Sequence, residues 1–148
     1  MADGFAYPAD GVSARTGAQS SSASARAAAA HAATDVLAVS LLNGEVTADS
    51  LAGRARASAT GVDTDGSQVT NLVLLGQPVT ATPNGRFPLG DWGYAVTLEE
   101  VAETTVSDTT RNSRASMTAL RIVLTADHGG LPAGAEIVVG HAEASAST

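Results

Sequence analysis

The stretch Gly53-Arg-Ala-Arg-Ala-Ser-Ala-Thr60 alternates without interruption. In an extended strand successive side chains point to opposite faces. Arg54, Arg56, Ser58 and Thr60 therefore share one side, and Ala55, Ala57 and Ala59 the other. A face made only of methyl groups packs flat and close against a second layer. This pattern demands a sheet stacked on another sheet.

Neighbouring segments agree. Val36-Leu37-Ala38-Val39 reads as a buried strand. Asn43-Gly44 follows it and suits the two positive-φ positions of a type I′ hairpin. The segment LLNGEVTAD (41–49) is echoed by LLGQPVTAT (74–82), with Val46 and Val79 33 residues apart, which suggests two similar strand–turn–strand units. Residues 63–67 form a turn; their Asp-x-Asp-Gly opening lacks the later ligands of a calcium loop. Tyr94, Val96 and Leu98 fall on one face of a further strand, and residues 107–116 read as a polar loop. Leu120, Ile122 and Leu124 point inward from a strand over 118–126. Residues 127–135 are a turn, and 136–145 the last strand. Residues 24–33 combine alanine's helix propensity with partial alternation; the strand is preferred because strands follow.

The expected fold is all-β: an antiparallel β-sandwich of short strands with an extended N-terminal segment. Residues 1–34 form that Ala/Ser-rich segment, available as a donated strand, and residues 35–148 the sandwich domain.

Composition narrows the function. The chain has 148 residues, enough for one domain. It is 44% apolar but only 3% aromatic, so the core is built from Ala, Val and Leu. Thin layers follow more readily from that supply than a deep aromatic-lined pocket. Fifteen acids oppose eight bases, a net charge of −7, which argues against nucleic acid and anionic membranes. The absence of cysteine excludes disulfides, iron–sulfur clusters and thiolate zinc sites. All the bases are Arg, so lysine Schiff bases and Lys–Asn isopeptide cross-links are excluded too. Residues 1–11 show neither the basic start nor the apolar run of a signal peptide, and no apolar run is long enough to span a bilayer.

The residues offering chemistry are few. His141-x-Glu143 matches half of a zinc deaminase signature whose cysteines are missing; on a strand the pair forms a solvated polar face. Asp127-His128 sits in a Gly-Gly turn, and His31 reads as a half-buried residue in an alanine run. No Gly-x-Ser-x-Gly elbow, His-Glu-x-x-His, phosphate loop or dinucleotide glycine pattern occurs. The one site-like cluster is Asp91, Trp92 and Tyr94. With Trp92 and Tyr94 on one strand face, an aromatic ring would stack on a sugar while Asp91 bonds a hydroxyl. The competing assignment makes the two rings core fillers.

LLNGEVTADSL, VTNLVLLGQPVTATPNGRFPL, GYAV, ALRIVL and GLPAGAEIVVGHAEAS together resemble the landmarks of the choice-of-anchor P family, over residues 35–145. Those are β-rich secreted or surface-anchored bacterial proteins. The resemblance implies export, an extracellular or cell-surface location and a structural role, and supplies no catalytic residue.

The expectation is therefore a non-enzymatic structural or cell-surface protein. It uses no cofactor or metal and self-assembles with its own copies into a filament or surface layer by β-strand addition. The alternative is a carbohydrate-binding module using Asp91, Trp92 and Tyr94.

Overall fold

Alternation is realised as strand along almost the whole chain. The computed structural model describes residues 6–7, 14–26 and 29–147, and these contain strands and no helix. In chain order they are β1 (Ala6–Tyr7), β2 (Ala14–Arg15), β3 (Gln19–Arg26), β4 (Ala29–Leu41), β5 (Val46–Ser58), β6 (Gly61–Asp63) and β7 (Gln68–Thr70). There follow β8 (Leu72–Leu74), β9 (Gln77–Val79), β10 (Gly85–Leu89), β11 (Gly93–Ser107), β12 (Thr110–Leu124) and β13 (Glu136–Ser147). Two antiparallel sheets result. Sheet I runs β1-β2-β4-β5-β8-β9, with β3 also on β4 and β6 and β7 on β5. Sheet II runs β10-β11-β12-β13.

The expected all-β antiparallel architecture is present. Residues 24–26 and 29–33 are strand. The boundary expected between residues 34 and 35 falls inside β4, which is continuous. β3 pairs with β4 from Gln19↔Val36 to Arg26↔Ala29, so this part of the N-terminal segment is an edge strand of its own sheet. Residues 1–5, 8–13, 27–28 and 148 lie outside the described residues.

Both echoed segments are hairpins. Asn43 and Gly44 take positive φ (56° and 84°), and the Glu45 N–H donates to the Leu42 carbonyl at 3.2 Å, the type I′ geometry. Leu75 and Gly76 turn β8 into β9 in the same way, with φ of 50° and 78°.

Residues 107–116, expected as a polar loop, are instead strand except for the turn at Asp108 and Thr109. β11 and β12 run on as a long hairpin, Ser107 opposite Thr110. Their Ser, Thr and Ala side chains are small enough for the stacked layer: Ser113 and Ala115 are buried. Polarity misleads here because a thin layer accepts small polar residues that a leucine core rejects.

The interior has two parts. One half is an aliphatic core of Leu41, Leu51, Leu72, Leu89, Leu120, Ile122 and Leu124 with Trp92. The other is an alanine layer of Ala55, Ala57, Ala115, Ala142 and Ala144, with Ala30, Ala32, Val62 and Ala146 at its margin. The strands change face between the halves. On β12 the buried set Ser113, Ala115, Met117 gives way to Leu120, Ile122, Leu124. On β4 the inward positions pass from Ala30, Ala32 and Val36 to Val39 and Leu41. Positive φ marks the change at Ala38 (51°), Leu98 (46°) and Gly140 (73°). In the β11–β12–β13 register Leu98, Ala119 and Gly140 stand side by side, so sheet II kinks along one line.

At that line the sheets touch. A Cβ added to Gly53 would stand 2.4 Å from the Gly140 carbonyl oxygen, and one added to Gly140 would meet the Leu51 Cβ of sheet I at 3.6 Å. Beside them Thr34 Oγ1 donates across the gap to the His141 carbonyl at 2.8 Å. A methyl at residue 53 must push the layers apart. Gly53→Ala should therefore lower the unfolding free energy by about 1–3 kcal/mol. Exposed Ser22→Ala should change it by less than about 0.5 kcal/mol. Urea titrations followed by circular dichroism read both, and equal midpoints would refute the contact.

Candidate functional site

Asp91, Trp92 and Tyr94 do not form one surface. β11 begins at Gly93, so Trp92 lies in the preceding turn and escapes the strand's alternation. Trp92 is only 8% exposed and belongs to the aliphatic core, whereas Asp91 is exposed and Tyr94 half-buried. The inward residues of β11 here are Ala95 and Thr97. Tyr94 carries the Arg86 guanidinium 3.6 Å above its ring, a cation–π contact. The shared aromatic face expected for a sugar is thus replaced by two rings with different neighbours.

Trp92 has a partner that the sequence conceals. Its ring stacks on His128, with centroids 3.9 Å apart and planes within 3°. His128 Nε2 in turn bonds Glu45 Oε2. Glu45 comes from the β4–β5 turn, Trp92 from the β10–β11 turn and His128 from the β12–β13 connection. The triplet therefore clasps three turns at the aliphatic end. Glu45 and His128 are 83 positions apart, so no local pattern announces the pair. The backbone helps: Gly129 at φ 58° sits against Leu42 of the same turn. One face of the His128 ring is covered by Trp92, so the Glu45–His128 pair serves here as part of a packed clasp.

The other singled-out histidines are on the outer faces. His141 and Glu143 project together from β13, as alternation requires, and are both exposed. His141 Nδ1 lies 2.9 Å from Thr118 Oγ1. Glu143 pairs with Arg114 at 2.9 Å. That hydrogen bond, helped by the Arg114 charge and by His141, outweighs desolvation and holds the Glu143 carboxyl below its ordinary range. His31, expected half-buried, is exposed on β4 and lies 3.1 Å from Ser24 Oγ. Residues 63–67 form the expected turn, closed by the Asp65 N–H on Asp63 Oδ1 at 2.6 Å. Among the described residues no group of three or more His, Cys, Asp or Glu could hold a metal ion.

Backbone, rather than side chains, supplies the most distinctive surface. β10 covers β11 from Gly93 to Thr97, and Asn84 extends the cover: its N–H donates to the Leu98 carbonyl at 3.0 Å and its Oδ1 accepts from the Glu100 N–H at 2.9 Å. Among the described residues the β11 edge is open from Val101 to Ser107. Among the described residues β13 pairs only with β12, so no strand lies along its other edge. Such edges carry unpaired N–H and C=O groups that template a further strand. Natural edges carry charge or kinks to limit this; β11 has both, in Glu99, Glu100 and Glu103 and at Leu98. Sequence reasoning placed a strand at Tyr94–Val101 and a loop at 107–116, and so missed how far the β11 edge runs.

These features define an all-β two-layer protein with exposed sheet edges. No family model matches the chain, and no curated protein or solved structure matches it. No helix of the described residues is long and apolar enough to cross a membrane.

Two outcomes follow. Trp92→Ala should cost about 3–5 kcal/mol of stability, as for a core aromatic. Tyr94→Ala, at a half-exposed site, should cost about 1 kcal/mol. Similar costs in denaturation would refute the clasp. Second, a lowered folded pKa makes the Glu143 contribution complete above the usual carboxylate range and removes it as pH falls through the lowered value. The side chains of the pair are about half exposed, so the effect is small. Glu143→Gln should slightly reduce the stability difference between about pH 7 and about pH 3; a larger difference than in the parent chain would contradict this.

Proposed function

We propose that this protein is a non-enzymatic structural subunit, working outside the cell or on its surface, that assembles with copies of itself. The observation carrying this reading is the pair of open edges on sheet II, at β11 and at β13. Strand addition at such edges gives affinity through main-chain hydrogen bonds and needs no pocket. The resemblance of residues 35–145 to choice-of-anchor P proteins supports the same role and location. So does the composition, in which small side chains let layers approach closely.

The mode of association differs from donation of a free N-terminal strand. β3 already pairs with β4, and detaching it would break eight residue pairings. Addition therefore takes place edge to edge between folded subunits. Light scattering on the purified protein should show a mass that rises with concentration, and negative-stain images should show fibres or sheets. A monomer at every concentration would overturn the proposal.

A further inference from the structure

Two Asn-Gly pairs occur in the chain, Asn43-Gly44 and Asn84-Gly85. Such a pair carries a chemistry that needs no enzyme. Glycine has no side chain to shield its backbone nitrogen, so that nitrogen can attack the side-chain carbonyl carbon of the asparagine before it. Both asparagines take positive φ, 56° at Asn43 and 53° at Asn84, and both are exposed. Their surroundings separate them.

Asn84 is held on several sides. Its N–H donates to the Leu98 carbonyl at 3.0 Å, and its Oδ1 accepts from the Glu100 N–H at 2.9 Å. The Gly85 N–H, on the atom that would have to attack, donates to the Thr82 carbonyl at 2.9 Å. Gly85 is also wedged: a Cβ there would collide with Thr82 Oγ1 and stand 2.8 Å from Thr97 Oγ1. Swinging the Gly85 nitrogen onto the Asn84 side chain would break the bonds made by Gly85 N–H and Asn84 Oδ1. It would also lift the start of β10 off Thr97.

Asn43 is far less constrained. Among the described residues neither its side chain nor the Gly44 N–H has a hydrogen-bond partner. Both residues are exposed, and nothing lies within 4 Å of a Cβ added to Gly44. The turn is closed by the Glu45 N–H on the Leu42 carbonyl at 3.2 Å, the long end of the N–H···O range. Rotating the Asn43–Gly44 peptide gives up that bond, and water replaces it.

We propose that Asn43 is a modification site, which deamidates spontaneously through a cyclic imide, and that the fold protects Asn84 from the same reaction. The Gly44 nitrogen forms a bond to Asn43 Cγ and gives up its proton. The bond from Cγ to the side-chain nitrogen breaks, and ammonia leaves with that proton. Water then opens the imide. Addition at Cγ gives aspartate. Addition at the main-chain carbonyl carbon gives isoaspartate, whose backbone runs through the side chain and is longer by one methylene. Water is the only co-reactant.

The position gives the reaction a structural consequence. Asn43 and Gly44 are the central residues of the β4–β5 turn, and Glu45 beside them bonds His128. An isoaspartyl link cannot keep the type I′ geometry that sets Leu41 opposite Val46, because the extra methylene lengthens the loop. Glu45 then moves off His128, and the His128 ring loses the bond that fixes it against Trp92. Deamidation at Asn43 therefore loosens the clasp over the three turns as the protein ages.

The test holds the folded protein in mildly alkaline buffer, which favours loss of the amide proton, and samples it over time. Cleavage after arginine puts the two sites in different peptides, residues 27–54 and 57–86, so mass spectrometry follows each separately. Ammonia loss should be about tenfold or more faster at Asn43 than at Asn84, because only Asn43 reaches the attacking geometry without breaking the fold. In concentrated urea the two rates should converge. Asn43→Gly suits positive φ and has no amide to lose. It should keep its urea midpoint and its Trp92 fluorescence throughout, while those of the parent chain change as isoaspartate accumulates. Equal rates in the folded protein, faster loss at Asn84, or no loss at Asn43 would overturn the site. An unchanged midpoint in parent protein rich in isoaspartate at residue 43 would overturn the loosening of the clasp.

Discussion

The contact of Gly53 with the Gly140 carbonyl sets the distance between the two sheets, and much else follows from that distance. Stacked sheets ordinarily stand about 10 Å apart, with large side chains interdigitated between them. Here a side chain as short as Thr34 crosses the gap to bond main chain on the far side. At that separation the only apolar residue that fits in a repeating pattern is alanine. Ala55 and Ala57 of β5 therefore meet Ala142 and Ala144 of β13 and Ala115 of β12. The alanine face is less a weak core than the sole core compatible with backbones so close together.

A close half must somehow join a wide one. The aliphatic half holds Trp92 and a set of fully buried leucines, which need the usual separation. The kink through Ala38, Leu98 and Gly140 makes the transition, and the inward phase of the strands changes there. Glycine supplies one of the three positive-φ positions, and a left-handed Ala or Leu costs about 1–2 kcal/mol each. Such conformations persist only where the surroundings over-determine them. The surroundings here are the paired registers on both sides, which end at Thr97↔Leu120 and resume in phase at Glu99↔Thr118. Outer-face ion pairs lace the same region: Arg121 of β12 reaches Glu99 of β11 and Glu136 of β13.

This explains which features were legible in the sequence. The alanine face at 55 and 57, the Asn43-Gly44 hairpin, the inward Leu120, Ile122 and Leu124, and the exposed pair His141 and Glu143 each follow from local alternation or turn chemistry. Local signals failed in two circumstances. Thr110–Ser116 was misread because hydrophobicity is a poor guide where the layer accepts serine; small volume was the signal to follow. Trp92 fills the core as one of the two assignments required, but it does not share a face with Tyr94, because alternation applies only within a strand and the strand starts one residue later. The Glu45–His128 bond and the approach of Gly53 to Gly140 are long-range matters. They depend on which strands stack on which, and a single sequence carries no term for that.

Distribution of burial also bears on why the alanine half has open flanks. Apolar burial contributes roughly 25 cal/mol per Å², so an alanine stabilises a layer far less than a leucine. The aliphatic half, covered by β8, β9 and β10, therefore anchors the fold. The alanine half relies on long strand ladders: β11 with β12, and β12 with β13. Additional strands inside one chain would cost backbone entropy of about 1–2 kcal/mol per residue ordered, with little apolar area to offset it. A strand that is already ordered when it is added carries much less of that cost. For a layer of methyl groups, widening by pre-ordered strands is therefore physically cheaper than widening by lengthening the chain, because the apolar area gained per residue is too small to offset the ordering of new backbone.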